Sequence, residues 1–284
     1  MGAPVTRRAA PDDAIRALYA RLDDLARAAE RGELVATDFL TPRERKYAEG
    51  YLSSRICEGT ACVTGGYGGA ERVRAVLLPD YVAGLVPDCG GDGMEDALRA
   101  AGLDELADGV RDIAVALKIV GSGYRELTHR DYLGSVLGLG LERDAVGDIQ
   151  VVDGHTAYLV AKGEIADFLL QNLTKVATDT VRVTSLADGE TVPICRRTQA
   201  INDTVASERL DCVVAALANL SRDKAQTAVR SGLVELDYEP VEDCDEIVTT
   251  PAVISIRGIG KFNVVAFDGE TRKGRVRLRA EKYI

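Results

Sequence analysis

Between Ile113 and Thr184 the apolar residues switch between runs and helical spacing, and that succession restricts the fold more than any other feature of the chain. Ile113 to Val120 is rich in apolar residues and reads as a buried strand. Thr128-His129-Arg130-Asp131 has the form of a capping box and opens a helix that turns Leu133, Val136 and Leu137 inward. Ile149 to Val152 and Ala157 to Ala161 read as two strands around an Asp153-Gly154 turn. A helix from about Glu164 to Leu173, with Ile165, Phe168 and Leu169 inward, leads to a last strand at Val181 to Thr184. The order β-α-β-β-α-β predicts a ferredoxin-like sheet, the architecture that RRM domains also use. The aromatic pattern of a true RRM is absent, so base stacking on this sheet face is not expected.

Upstream, Asp12 or Asp13 can cap a first helix whose stripe is Ile15, Leu18, Leu22, Leu25 and Ala29, with Gly32 placed to end it. Thr41-Pro42-Arg43-Glu44 joins a capping box to a proline at the first helical position. A glycine-rich stretch from Cys62 to Ala70 precedes an apolar run from Val73 to Leu78, which Pro79 limits. Gly90, Gly91 and Gly93 read as a loop. Downstream, Leu210, Val213, Val214 and Leu217 form a helix stripe, and Ser221 caps a second helix that ends near Gly232. Short alternating strands follow from Leu233.

Charge bears on the partner. The chain of 284 residues holds 35 basic and 45 acidic side chains, a formal −10, which by itself argues against nucleic acid. The charges are unevenly placed. Glu235, Asp237, Glu239, Glu242, Asp243, Asp245 and Glu246 follow one another with no base among them. From Arg257 on, Arg257, Lys261, Arg272, Lys273, Arg275, Arg277, Arg279 and Lys282 face only Asp268, Glu270 and Glu281, eight bases against three acids. Arg275, Arg277 and Arg279 alternate with Val276, Leu278 and Ala280, so a strand would carry the guanidinium groups on one face. Arg222, Gln226 and Arg230 stand four residues apart and are neighbours on one helix face. Two basic surfaces in one small region suit a phosphate backbone.

Other classes are excluded more simply. A hydrophobic share of 46% and a charged share of 28% are ordinary globular values and exclude disorder for most of the chain. No apolar run reaches the ~18 residues of a membrane span. Met1 to Pro11 has no apolar segment of a secretory signal, and the loose myristoylation pattern at Met1-Gly2 and Thr6 is common by chance. Cys57, Cys62, Cys89, Cys195, Cys212 and Cys244 contain no C-x-x-C pair, and only His129 and His155 could join them. That supports neither a zinc site nor a disulfide scaffold, and reads as thiols in a reducing cytoplasm. No metal or other cofactor is expected.

Arg209-Leu210-Asp211, Leu220-Ser221-Arg222-Asp223-Lys224-Ala225 and Ser231-Gly232-Leu233-Val234 together resemble the S-four (αL-type) RNA-binding domain, over roughly 208–257. Gly65-Gly66-Tyr67 with Ala70-Glu71-Arg72 resembles the N-terminal unit of the YlmH family. So do the stretch from His129-Arg130-Asp131-Tyr132 to Gly140, Gly147-Asp148-Ile149, and the ending Arg257-Gly258-Ile259-Gly260-Lys261-Phe262 with Thr271-Arg272-Lys273-Gly274-Arg275. The resemblance spans nearly the whole chain in order. It implies an α+β protein of three small domains: an N-terminal unit (1–88), a ferredoxin-like, RRM-like middle domain (89–187) and an S-four-type domain (188–284). It also implies a cytoplasmic bacterial protein that binds RNA, rRNA and tRNA included, on the large ribosomal subunit. Its role would lie in ribosome-associated quality control of stalled peptidyl-tRNA, with no membrane or DNA partner.

The resemblance and the charge pattern single out Arg209, Ser221, Arg222, Lys224, Gln226, Arg230, Arg257, Lys261, Arg272, Lys273, Arg275, Arg277 and Arg279 as RNA contacts. His129 and Arg130 are a further expected contact. After Val234 the family has an asparagine, a large aromatic and often a lysine. Here Glu235-Leu236-Asp237-Tyr238-Glu239 stands instead, and the acids should repel phosphate. No catalytic residue is expected. Pseudouridine synthases use the aspartate of an Arg-Leu-Asp context as nucleophile. Asp211 lacks a catalytic domain around it, so a helix-structural or ion-pair role is expected. The Gly65 to Gly69 loop lacks the lysine and hydroxyl of a phosphate loop and reads as a tight turn. His129 beside Asp131 reads as part of a helix cap. The alternatives are an RNA-modifying enzyme of the pseudouridine-synthase type and a protein-only adaptor linked to cell division.

Overall fold

The run from Val73 to Leu78 shows no polar alternation because its strand is covered on both faces. The structure is a computed structural model describing residues 12–55, 59–86, 90–187, 189–195 and 197–283. In it β1 (Val35–Ala36), β2 (Ala61–Thr64) and β3 (Arg74–Leu77) form an antiparallel sheet of order β1-β3-β2. Ala75 and Leu77 pack into a core with α1 (Asp13–Glu30) and α2 (Pro42–Arg55). Val76 and Leu78 pack into a second core with α3 (Gly90–Ala100) and α4 (Asp104–Ile113). A strand buried on both sides has to be apolar throughout. Arg74 is the exception, and its buried guanidinium donates to the carbonyls of Thr37 at 2.5 Å and Ile113 at 2.6 Å. Asp12 caps α1, accepting from the Ile15 N–H at 3.1 Å. Thr41 and Glu44 form the expected box at α2: Glu44 accepts from the Thr41 N–H at 2.7 Å, and Thr41 accepts from the Glu44 N–H at 3.3 Å.

Gly90, Gly91 and Gly93 are not a loop. They open α3, whose start lies against β2 so closely that a Cβ on Gly91 would collide with the Val63 carbonyl oxygen. Here glycine marks a close approach of two backbones. Cys57, Cys89 and the N-terminal pattern at Met1, Gly2 and Thr6 lie outside the described residues. Cys62, Cys195, Cys212 and Cys244 are unbonded thiols.

The middle sheet has order β5-β6-β4-β8-β7, built from β4 (Ala114–Gly121), β5 (Val146–Val151), β6 (Thr156–Lys162), β7 (Lys175–Val176) and β8 (Asp179–Ser185). Without the short β7 edge, the four principal strands have the antiparallel order of a ferredoxin-like sheet. One face carries α5 (His129–Leu137) and α6 (Gly163–Asn172). Two inward assignments shift. Phe168 is exposed, and α6 buries Ala166 beside the expected Leu169, with Ile165 packed against the same core, because ten residues present only one narrow stripe to the sheet. In α5 the centre of the stripe is Tyr132 with Val136, and Leu133 and Leu137 sit at its flanks.

Tyr132 is fully buried, and its hydroxyl meets no partner among the described residues. Burial, then the charges of Asp153, Asp179 and Asp131, push its phenol up to about 12. Tyr132→Phe removes a desolvated donor without changing shape. Stability in denaturant should be unchanged or up to ~1 kcal/mol higher. A loss above that size would reveal a bond that the hydroxyl makes.

The chain divides into two compact units, Met1–Cys195, which holds both of these sheets, and Arg196–Ile284. The second unit has a sheet of order β11-β10-β12-β13-β14-β9. It comprises β9 (Thr198–Val205), β10 (Val234–Leu236), β11 (Glu239–Pro240), β12 (Ala252–Ile256), β13 (Gly260–Glu270) and β14 (Val276–Tyr283). Helices α7 (Leu210–Ala218) and α8 (Arg222–Arg230) share one apolar core with it. No helix among the described residues is long and apolar enough to cross a membrane.

Candidate nucleic-acid interface

Helices α7 and α8 meet at Asn219, which takes the left-handed conformation with φ 51° and ψ 48°. Ser221 then caps α8, its hydroxyl accepting from the Lys224 N–H at 3.4 Å. This corner brings the first turn of α8 over the first turn of α7. Asp211, wholly buried, sits at the contact. Its carboxylate accepts from Arg209 Nε at 3.1 Å and Nη2 at 3.3 Å, from Arg222 Nε at 3.2 Å and from Gln226 Nε2 at 2.7 Å. Burial pushes the Asp211 carboxyl up. Bonds from Arg209, Gln226, Cys212 and Arg222 outweigh that and hold it well below the usual carboxylate range. The expected ion-pair role of Asp211 is observed, and it orients three of the candidate contacts at once. Arg209 also pairs with Asp245. Lys224 and Arg230 are exposed on α8.

The basic tail is less uniform than its alternation implies. Leu278 and Ala280 are buried and Arg277 and Arg279 exposed, as a strand requires. Arg275 stands one residue before β14, and its guanidinium donates to Thr204 on β9, to Oγ1 at 2.9 Å and to the carbonyl. Arg279 makes a two-point bond to Asp268, at 2.9 and 3.2 Å. Arg275 therefore lies just outside the strand, and two of the three guanidinium groups are already engaged. Arg272 and Lys273 are exposed in the turn between β13 and β14, and Arg257 is exposed after β12. The Lys261 ammonium lies over two rings, 5.2 Å from Tyr238 and 5.1 Å from Tyr283.

The acidic turn has a structural use. Asp237 and Tyr238 both take positive φ, 48° and 67°, which a tight two-residue hairpin between β10 and β11 requires. The Asp237 carboxylate accepts from the Val253 N–H at 2.8 Å. Aspartate tolerates this backbone and satisfies the neighbouring strand.

In the first unit His129 and Arg130 are exposed at the start of α5. Thr128 and Asp131 complete the capping box there, the Thr128 N–H donating to Asp131 at 2.9 Å. The glycine loop is a structural joint. Gly66, at φ 76°, packs so that a Cβ would lie 2.6 Å from the Ala114 carbonyl oxygen. Among the described residues no group of His, Cys, Asp and Glu could hold a metal ion. Sequence reasoning missed Thr204, Asp268 and Glu190 as partners of basic side chains, since a lone hydroxyl or acid distant in sequence carries no local signal.

Residues 14–82 match the family model "YlmH, N-terminal", and residues 114–189 match the family model "Putative RNA-binding domain in YlmH". Ribosome-associated protein quality control protein P2 of Bacillus subtilis (strain 168) is 32% identical over 253 residues, 89% of this chain and 89% of that protein. Among solved structures, cell division protein ylmH from Streptococcus pneumoniae gives a TM-score of 0.47 at 17% identity, covering 66% of this chain and 100% of that one.

Proposed function

The chain belongs to the YlmH family, and on that premise we propose that it is a non-enzymatic, ribosome-associated RNA-binding protein of the cytoplasm. Its targets would be rRNA and tRNA on the large ribosomal subunit, in the quality control of stalled peptidyl-tRNA. The carrying observation is the Asp211 junction. One buried carboxylate holds Arg209, Arg222 and Gln226 in register, Arg230 extends that helix face, and Lys224 is exposed on another side of the first turn. Oriented cations and backbone N–H groups position a protein on phosphates without reading sequence. The similar Bacillus subtilis protein is named for ribosome-associated quality control, which supports the setting.

The site residues follow from this reading. Arg222, Gln226 and Arg230 form the helix face, Lys224 adds an exposed cation beside it in the first turn, and Arg209 and Ser221 form its entry. Arg257, Lys261, Arg272, Lys273, Arg275, Arg277 and Arg279 supply the sheet side, with His129 and Arg130 as a contact from the first unit. Arg277, Arg272 and Lys273 carry more of the sheet side than Arg275 and Arg279, which already have protein acceptors. The pseudouridine-synthase alternative fits poorly, since Asp211 is buried with both oxygens occupied and cannot reach a ribose.

Arg222→Ala combined with Lys224→Ala should weaken RNA binding. It should also lower the slope of log K against log salt by up to ~2. An unchanged slope would remove both residues from the site. Cosedimentation with large subunits at low salt tests the setting: a chain that never travels with them does not act there. New modified nucleosides in rRNA treated with the protein would overturn the non-enzymatic reading.

A further inference from the structure

The face of the middle sheet opposite α5 and α6 carries a row of polar side chains. Register aligns Gln150 of β5, Tyr158 of β6, Lys118 of β4 and Thr184 of β8 side by side. Arg182 points to the same face, since Val181 and Val183 join the core beneath. The row is covered. Residues 189–195 cross it without regular structure. Glu190 Oε1 accepts from Lys118 Nζ at 2.7 Å and from the Tyr158 hydroxyl at 2.7 Å. Gln150 Oε1 accepts from the Cys195 N–H at 3.0 Å, and Val192 between them is buried.

The covered chemistry is that of a single-stranded nucleic-acid platform. A tyrosine ring on a central strand offers a stacking face, and Lys118 and Arg182 offer cations, while the Gln150 amide is fixed beside them by its bond to the Tyr67 hydroxyl at 2.7 Å. Glu190 sets an anionic oxygen between a lysine and a phenol, as a phosphate would be set. Its carboxyl is held down to about 2, by Lys118 first, then Tyr158 and the Ala187 N–H, so it stays charged at any physiological pH. Sequence alone gave no reason to expect stacking here, because a single aromatic residue does not make an RRM pattern.

We propose that the Gln150–Tyr158–Lys118 row is a second, single-stranded RNA site, and that residues 189–195 are an internal strap whose Glu190 occupies the phosphate position. This rests on the RNA-binding reading but uses a different unit. The test uses the full chain carrying Arg222→Ala and Lys224→Ala, which silences the α8 surface. Its probe is a fluorescent eight-nucleotide oligouridylate followed by anisotropy. Glu190→Gln keeps the side-chain shape, and Glu190→Ala frees the strap. Each should raise affinity roughly 5–10-fold, the release of one competing ion pair. Adding Tyr158→Ala should abolish the gain. 4-Thiouridine in the probe should crosslink to the peptide containing Tyr158 in the Glu190 variants far more than in their parent. Folded variants with no gain, or a gain that survives Tyr158→Ala, would overturn the proposal. If Arg222→Ala with Lys224→Ala still weakens binding in an otherwise natural chain, only the strap fails. If the natural chain binds no RNA, the reading beneath it fails as well.

Discussion

Asp211→Ala is expected to destabilise the second unit by about 3–5 kcal/mol, because it removes one partner of a buried ion cluster and leaves the others behind. Arg209 and Arg222 would face each other across the α7–α8 corner with no carboxylate between them, and the Gln226 amide would lose its acceptor. The first turn of α7 would also lose an acid that favours a helix N-terminus. Asp211→Asn separates charge from shape: it fills the space, yet half of its head group donates where four donors already point. We expect a smaller loss, about 2–3 kcal/mol. The pH dependence has a definite sign. The folded-state carboxyl is held below its unfolded value of about 3.9. Its contribution is therefore complete at neutral pH and is lost as pH falls below about 4. Asp211→Asn should flatten that acid limb. Denaturant unfolding at pH 7 and near pH 3 measures both effects. A loss under ~1 kcal/mol for Asp211→Ala, or an unchanged acid limb for Asp211→Asn, would show that the junction does not hold the corner. At temperatures where each variant stays folded, RNA binding should fall with it, since Arg222 and Gln226 lose their orientation.

Local rules carried further in this chain than long-range ones. The Asp12, Thr128 and Ser221 caps, and the Thr41–Glu44 box, are written within four residues and stand as read. The β-α-β-β-α-β order was legible because each element has its own period. β9 was not. Of its eight residues only Val205 is buried, so no alternation betrays it, and its pairing with β14 joins residues as far apart as Thr198 and Tyr283. Gly90, Gly91 and Gly93 misled for a related reason. Glycine signals either a turn or a close approach, and only the position of Val63 decides between them. At the candidate site the cations were visible, but their acceptors were not. Arg279 and Asp268, or Arg275 and Thr204, come together only through strand register. A stripe of alternating arginines therefore overstates the charge that a face presents. Asp211 lies between these cases, since its neighbour Arg209 was in view while Arg222 and Gln226 reach it only after the chain turns at Asn219.

Asp148→Ala should markedly destabilise the first unit. The two motifs that mark its resemblance, Gly65-Gly66-Tyr67 with Ala70-Glu71-Arg72 and Gly147-Asp148-Ile149, lie far apart in sequence and meet at this carboxylate. It accepts from the Tyr67 hydroxyl at 2.8 Å, the Glu71 N–H at 2.7 Å and the Arg72 N–H at 3.2 Å. Around it Arg72 donates to the carbonyls of Val146 at 3.3 Å and Phe39 at 2.8 Å, while Arg143 donates to Val146 at 2.6 Å. Burial, then the charge of Arg72, pulls the Arg143 guanidinium down to about 10, and Asp148 opposes that shift. Alanine would remove this acceptor from two backbone donors and from the Tyr67 hydroxyl, which keeps its bond from Gln150 Nε2 at 2.7 Å, and would leave two half-buried cations with less to balance them. At about 1–3 kcal/mol for each unsatisfied group, partly relieved by water at a half-buried site, the net loss should be about 3–4 kcal/mol. Asp148→Asn keeps one good acceptor and should lose about half of that. Hydrogen exchange localises the effect. The Glu71 and Arg72 amides should lose protection by at least tenfold in Asp148→Ala, together with neighbours along the Tyr67–Arg72 loop. Amides of α7 and α8 should keep theirs. Protection at Glu71 and Arg72 that survives the substitution would mean that the loop is held by the packing of Gly66 on Ala114 and not by the carboxylate.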